Sequence, residues 1–174
     1  MEHELMILPA KEEDADTLAQ VIDTVYRGLE HPEWFMPDDA DYIRRLMDPA
    51  CGRVWKAVEK HSQRAAAVFM LLFPGNTPEN LGKDAGLTEA ERMGVVHVES
   101  VAVLPQYRGC GLQFRFMQLG EETARREGFT YLMCTVHPEN RVSRNNMLRM
   151  GFTSVIKKEK YGGFLREVMM KRLE

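Results

Sequence analysis

The chain has few cysteines and no long apolar run. Its three cysteines, Cys51, Cys110 and Cys134, are an odd number at unrelated spacings, which predicts reduced thiols and neither a disulfide framework nor a metal site. The longest apolar stretch, residues 65–73, is about half of a membrane span. The start Met-Glu-His-Glu lacks the basic residues of a signal peptide. We therefore predict a cytoplasmic protein without a membrane partner.

An excess of positive charge is also lacking. The formal net charge is -3, which gives no field that would attract nucleic acid, so we expect no nucleic-acid partner. Hydrophobic residues make up 44% and charged residues 28% of the chain, as is ordinary for a soluble globular protein. Since 174 residues suffice for one core and are short for two, we predict a single domain over 1–174.

A glycine-containing loop joins a β-branched stretch to an amphipathic helix predicted over 112–127. The loop reads Gln106-x-x-Gly109-x-Gly111, and Pro105 stops the strand before it. Free N–H groups at a helix start bind anions, and glycine lets a phosphate approach the backbone. A P-loop would need Lys-Ser or Lys-Thr where Leu112 and Gln113 stand. A dinucleotide fingerprint would need a small residue at Phe114. Both nucleotide motifs are therefore disfavoured.

The loop, with Val-Ala-Val-Leu-Pro before it, resembles the acyl-CoA pyrophosphate loop of the GNAT superfamily of N-acyltransferases. A second part of that family's pattern follows an apolar strand at 131–136, as Asn140-x-x-Ser143 leading to Gly151-Phe152. The resemblance covers 95–152 and implies acetyl-CoA (coenzyme A) as cofactor. It places cofactor contacts at these residues: Val101, Ala102, Val103, Gln106, Arg108, Gly109, Cys110, Gly111, Leu112, Asn140 and Ser143.

The predicted element order is β-α-α-β-β-β-α-β-α-β-β. The GNAT resemblance implies an α/β (α+β) fold with a mixed, mostly antiparallel sheet of about seven strands and helices on both faces. Residues 74–94 interrupt the pattern as an insertion between two strands, rich in proline and glycine at first and carrying the capping box Thr88-Glu-Ala-Glu91. The sequence leaves open whether this insertion is a functional lid or an inert surface excursion.

Glu99 is the leading candidate for a general base. A carboxylate within an apolar strand is desolvated, which raises its pKa toward the useful range, and GNAT members often carry glutamate here. His97, two residues earlier, is the second candidate, because alternation puts it on the same face. The alternative is that both side chains lie at a solvated edge of the sheet. Met147 occupies the position where many GNAT members have a tyrosine that protonates the leaving thiolate, so Tyr161 and Cys134 become substitute donors.

Trp34 and Phe35 lie in the segment that borders the acceptor site in GNAT proteins. Acidic residues surround them, so they are candidates to bind a cationic amine by cation–π and charge contacts. Equally, Trp34 could fold under the loop as core. By the same resemblance, the turn Tyr161-Gly162-Gly163 borders the other side of the acceptor site.

We therefore predict an acyl-CoA-dependent N-acetyltransferase in which a small, cationic amine attacks acetyl-CoA directly. An N-acyltransferase for peptide or protein N-termini is the alternative enzyme, and a non-catalytic CoA-binding regulatory module is the alternative outside catalysis. The sequence identifies neither the acceptor nor the acyl length, and it leaves a homodimer open.

Overall fold

The computed structural model describes residues 4–174. Helices and strands follow one another in the predicted order, with one further short helix in the insertion. Their bounds are β1 Leu5–Pro9, α1 Ala15–Arg27, α2 Ala40–Met47, β2 Gly52–Glu59, β3 Ala65–Leu72, α3 Glu89–Arg92, β4 Val95–Val103, α4 Leu112–Arg126, β5 Tyr131–Val136, α5 Arg141–Arg149, β6 Thr153–Lys160 and β7 Phe164–Arg172.

The seven strands form one sheet in the order β1-β2-β3-β4-β5-β7-β6. Strands β1 and β2, β2 and β3, β5 and β7, and β6 and β7 pair antiparallel, whereas β4 and β5 pair parallel. The predicted mixed, mostly antiparallel α/β sheet is thus confirmed. The parallel β4–β5 ladder pairs Val95, Val96 and His97 with Tyr131, Leu132 and Met133. Of the helices within 4–174, none is both long and apolar enough to span a membrane.

The described chain divides into two compact units, and the single-domain prediction stays a prediction. The first unit contains the chain up to Leu72 together with Glu99–Gly120. In it, the buried stripes of α1 and α2 pack with β3 side chains such as Val68 and Met70. Helix α2 begins at the cap Asp39, whose carboxylate accepts from the Tyr42 N–H at 2.8 Å. This cap fixes the start of α2.

Helix α4 has a close contact with β3 inside the first unit. Phe69 is fully buried and stacks on Trp55 and on Phe116 of α4, with ring centroids 5.5 and 5.3 Å away. A Cβ atom on Gly120 would lie 2.8 Å from the tip of the Phe69 ring. The absence of a side chain at Gly120 therefore permits this packing.

The second unit contains Phe73–Val98 and Glu121–Glu174, and the insertion is fastened within it. Leu81 joins a core cluster with Tyr131 and Val168. Asp84 pairs with Lys158 at 2.8 Å and with Lys160, and these contacts outweigh its desolvation and hold its pKa below the ordinary value. The predicted capping box of α3 is also present. The insertion is thus anchored by core packing and by ion pairs.

Candidate functional site

The glycine loop begins with a tight turn that fixes the chain before α4. Tyr107 is buried, and its N–H donates to the Leu104 carbonyl at 2.9 Å. The N–H of Arg108 donates to the Pro105 carbonyl at 3.2 Å. The resemblance to GNAT proteins also implied the Arg108 N–H as an anion donor; this stays a prediction, but that group already has a partner. The Arg108 guanidinium is exposed, and its contact with phosphate stays a prediction.

The following residues form the donor set of the loop. Gly109 and Gly111 have φ values of +79° and +71°, in the left-handed region that favours glycine. Within residues 4–174, the N–H groups of Gly109, Cys110, Gly111 and Leu112 donate to no protein acceptor. A Cβ atom added at either glycine would meet nothing within 4 Å. Open space beside consecutive N–H groups at the start of a fifteen-residue helix fits the pyrophosphate of acetyl-CoA.

The strand before the loop presents alternating side chains. Ala102 is buried in the core cluster of the first unit, while Val101 and Val103 are half-buried and Gln106 is exposed. This alternation is that of a strand with one face on the core. The cofactor contacts predicted for these four residues stay predictions.

Glu99 lies in the first unit and is held by a residue that the sequence analysis missed. The Tyr42 hydroxyl of α2 donates to Glu99 Oε1 at 2.8 Å. Burial raises the pKa of Glu99 to about 7, with a further increase from the charge of Asp38, against the lowering effects of Tyr42 and Arg45. A carboxyl group with this pKa can accept a proton near neutral pH. Glu99 therefore does not lie at an open edge of the sheet with water as its only partner.

A second carboxylate lies close in the same unit. Ser100 Oγ donates to Asp38 Oδ2 at 2.6 Å. Burial raises the pKa of Asp38, and the charge of Asp39 acts in the same direction, whereas the Ser100 hydrogen bond opposes them. Asp38 and Glu99 therefore form an acidic, partly desolvated region that would favour a cation.

His97 belongs to the second unit and has a structural contact. It is buried, and its Nε2 accepts a hydrogen bond from the Leu81 N–H of the insertion at 3.0 Å. Burial lowers its pKa to about 3, and nearby Lys160 lowers it further, against the effect of Asp84. The catalytic role predicted for His97 stays a prediction, but its occupied Nε2 and its low pKa speak against it. The sequence could not show that the insertion covers this side chain.

The aromatic pair expected to contact the acceptor is engaged within the first unit. Trp34 stacks on His31 with ring centroids 4.2 Å apart. Phe35 packs against the helical core cluster and lies 6.5 Å from the Tyr26 ring. Phe35 thus packs as part of the loop core, which is the position that the sequence had left open for Trp34. Acceptor binding by Trp34 and Phe35 stays a prediction.

In the second unit, Asn140 caps helix α5. Its Oδ1 accepts from the Ser143 N–H at 3.2 Å, which explains the Asn-x-x-Ser spacing as a capping interaction. Cofactor contacts of Asn140 and Ser143 remain predictions. Met147 is buried in α5, and a thioether has no proton to donate.

Tyr161 occupies the turn between β6 and β7 in the second unit. It has a left-handed φ of +53°, and its hydroxyl lies 3.0 Å from Thr135 Oγ1. The Arg166 guanidinium lies 5.8 Å from the centroid of its ring. Cys134 is buried, which raises its thiol pKa to about 12. The role of Tyr161 as proton donor stays a prediction, and the burial of Cys134 makes its thiol the weaker candidate.

Two further observations concern the cysteines and possible metal ligands. All three cysteines are free, as predicted. Within residues 4–174, no group of His, Cys, Asp and Glu side chains is arranged to hold a metal ion.

Comparison with known proteins connects this geometry to a family. A sequence model of the Acetyltransferase (GNAT) family matches residues 22–152, which include the glycine loop, Glu99 and Asn140. The chain belongs to the GNAT acetyltransferase family. This GNAT protein is therefore an acyl-CoA-dependent N-acetyltransferase, and acetyl-CoA is its acyl donor. A search of curated proteins found no match.

Solved structures show the same GNAT fold. The ribosomal-protein-S18-alanine N-acetyltransferase from Escherichia coli has a TM-score of 0.72 at 11% identity, covering 98% of this chain and 95% of its own. A GCN5-related N-acetyltransferase from Kribbella flavida has a TM-score of 0.71 at 20% identity, with coverages of 97% and 98%. A Salmonella typhimurium protein solved with its cofactor acetyl-CoA has a TM-score of 0.67 at 18% identity, with coverages of 98% and 94%.

Proposed function

We propose that this GNAT protein transfers the acetyl group of acetyl-CoA to the amine of a small, cationic acceptor by direct attack. The observation that carries the proposal is Glu99, a partly buried carboxylate with a pKa of about 7 and a single hydrogen bond, from Tyr42, among the described residues. The acceptor nitrogen forms a bond to the thioester carbonyl carbon, the carbon–sulfur bond breaks, and the proton lost by nitrogen goes to Glu99. No acyl-enzyme forms.

In this proposal, the residues of the glycine loop bind acetyl-CoA. The N–H groups of Gly109 to Leu112 and the Arg108 guanidinium bind the pyrophosphate, which fixes the donor before the amine attacks. Acetyl-CoA carries its acyl group as a thioester. The thiolate that leaves is a modest base, because a comparable thiol has a pKa of about 8.5. Departure of the thiolate therefore needs less help from an acid than departure of an alkoxide would need. Tyr161 as its proton donor stays a prediction.

The acidic region of the first unit supports a cationic acceptor. Asp38 and Glu99 are both desolvated enough that their pKa values are raised, and a positively charged acceptor would stabilise their ionised forms. An acceptor carboxylate would be repelled. We prefer a small amine with a second positive charge to a peptide N-terminus, because that second charge persists when the reacting nitrogen loses its proton, although the Escherichia coli relative is named for a ribosomal-protein alanine.

The test measures thiol release from acetyl-CoA with a panel of amines. Cationic diamines and aminoalkyl compounds should be acetylated faster than a peptide that starts with alanine. The reverse order would favour the peptide acceptor, and no release with any amine would contradict the proposed transfer.

Glu99→Gln tests the base directly. A positioned general base contributes about 10²- to 10⁴-fold, and the amide can still accept from Tyr42, so we expect a loss of this size at pH 7 with unchanged acetyl-CoA binding. The loss should shrink as pH rises, since an amine with a pKa of about 10.4 then loses its proton unaided. Glu122→Gln, at an exposed position of α4, is the matched control. Equal rates for wild type and Glu99→Gln at pH 7 would show that another group takes the proton.

A further inference from the structure

Tyr42 is held more firmly than a surface tyrosine. Its N–H donates to the cap Asp39 at 2.8 Å, and the next residue, Ile43, is fully buried. The phenol itself is half-buried, with the Arg45 guanidinium 6.0 Å from the ring centroid. The cap and the packing of α2 therefore fix the backbone from which the Tyr42 hydroxyl reaches Glu99.

We propose that Tyr42 is a positioning residue, whose hydroxyl holds Glu99 Oε1 so that Oε2 is the oxygen that takes the proton from the acceptor amine. The inference rests on the proposed function, because it assigns a helper to Glu99 as base. Within residues 4–174, Glu99 has no other hydrogen bond, so Tyr42 alone restrains this carboxylate. Restraint of a catalytic group in one geometry is a recognised source of rate.

The phenol acts as a donor and does not relay the proton. Burial strongly raises the pKa of Tyr42, and the charge of Glu99 raises it further, so the hydroxyl keeps its hydrogen over the working pH range. A donated hydrogen bond stabilises the ionised carboxylate over its protonated form. Tyr42 therefore keeps a desolvated carboxylate available as a base at neutral pH.

Asp38 acts on Glu99 in the opposite sense. The groups that act on Glu99 are the hydrogen bond from Tyr42 and the charge of Arg45 on α2, and the charge of Asp38 in the preceding segment. Asp38 is oriented by Ser100, the residue next to Glu99 on β4, through the 2.6 Å hydrogen bond. Its negative charge disfavours ionisation of Glu99, whereas Tyr42 and Arg45 favour it. Changes at Tyr42 and at Asp38 should therefore shift the proton affinity of Glu99 in opposite directions.

The experiment records kcat/KM for one amine against pH, at saturating acetyl-CoA, for the wild type and for Tyr42→Phe and Asp38→Asn. A hydrogen bond to a charged group contributes enough free energy to shift the pKa of that group by about one unit or more. Tyr42→Phe should thus move the acid limb upward by about one unit, with a loss about tenfold larger at pH 6 than at pH 9, where only the loss of positioning remains. Asp38→Asn should move the limb downward. The controls are Tyr26→Phe, which removes the hydroxyl of a tyrosine on α1, and Asp41→Asn, which removes an exposed charge from α2. Both should leave the limb in place.

A direct titration separates this inference from the proposed function. Carboxyl NMR of protein labelled with ¹³C-glutamate, assigned by the signal lost in Glu99→Gln, follows Glu99 without turnover. An upward shift in Tyr42→Phe and a downward shift in Asp38→Asn would support the inference. An unshifted signal in Tyr42→Phe, or the same direction in both variants, would overturn it. If instead Glu99→Gln stays fully active, the proposed base is wrong, whatever the titration shows.

Discussion

The glycine loop can be tested by adding one methyl group to each of two matched glycines. Gly111 lies in the loop and Gly86 lies in the insertion, with φ values of +71° and +69°. A Cβ atom at either position would meet nothing within 4 Å. Alanine therefore introduces the same backbone strain, about 1–2 kcal/mol, at both places. The two variants differ in one respect, since only Gly111 lies beside the N–H groups assigned to the pyrophosphate.

The expected magnitudes are large enough to measure. For a protein of this size, 1 kcal/mol moves the melting temperature by about 2–4 °C, so each variant without ligand should melt about 2–8 °C below the wild type. A ligand at a hundredfold excess over its Kd adds about 2.7 kcal/mol, which gives the wild type a further stabilisation of about 5–11 °C.

The assay is thermal unfolding with and without acetyl-CoA. Gly86→Ala should keep the full stabilisation by the ligand, whereas Gly111→Ala should lose at least about half of it, because its methyl group occupies the space where phosphate oxygens approach the N–H groups. CoA should stabilise the wild type nearly as well as acetyl-CoA, since the pyrophosphate is common to both, and ATP less. A full shift in Gly111→Ala, or equal losses in the two variants, would refute the assignment of this loop.

Two further predictions concern buried polar groups of the second unit. His97→Leu should destabilise the fold by about 1–3 kcal/mol, because the Leu81 N–H loses its buried acceptor. The pKa of His97 is about 3 in the folded state and about 6.5 in the unfolded state. Its contribution to the free energy of unfolding is therefore present above pH 6.5 and is lost as pH falls toward 3. Urea unfolding at pH 5 and 7.5 should show a weaker pH dependence in the variant. The Arg144 contact holds the pKa of Glu167 below its usual range despite desolvation, so Arg144→Gln should reduce stability at pH 7 and reduce it less at pH 3, with the exposed Arg149→Gln as control. Equal losses at both pH values would contradict an effect that acts through the charge of Glu167.

Local sequence patterns were sufficient to predict most of the fold. Strand β5 has the predicted bounds, because its run of apolar and β-branched residues is bounded by polar residues on both sides. Helix α2 ends before Pro49, a residue that stops helices and is a local signal. The short helix α3 follows from its capping box. These elements are encoded within a few residues, so no knowledge of the tertiary structure was needed.

The interior of the candidate site was not predictable in the same way. Tyr42 and Glu99 are 57 positions apart in the chain, and nothing near Tyr42 in the sequence distinguishes it from an ordinary helix residue. Strand alternation correctly marked His97 as a polar residue inside a strand, but it could not reveal that Leu81 would supply a buried donor. Spacing reports the face on which a side chain lies, whereas its hydrogen-bond partner depends on segments distant in sequence.

The bare backbone of Gly120 links sheet packing to ligand affinity. Phe69 has rings on two sides, so it has little room to yield to a methyl group placed 2.8 Å from its tip. Gly120 lies about 12 Å along the helix axis from Leu112, and an α-helix moves nearly as a rigid body. A displacement at Gly120 therefore shifts the N–H groups at the other end by a similar distance, which is enough to misalign hydrogen bonds to phosphate. We therefore expect that transplanting the glycine loop alone would not transfer the proposed anion site to another protein, since the position of that site would also depend on the glycine two helical turns away.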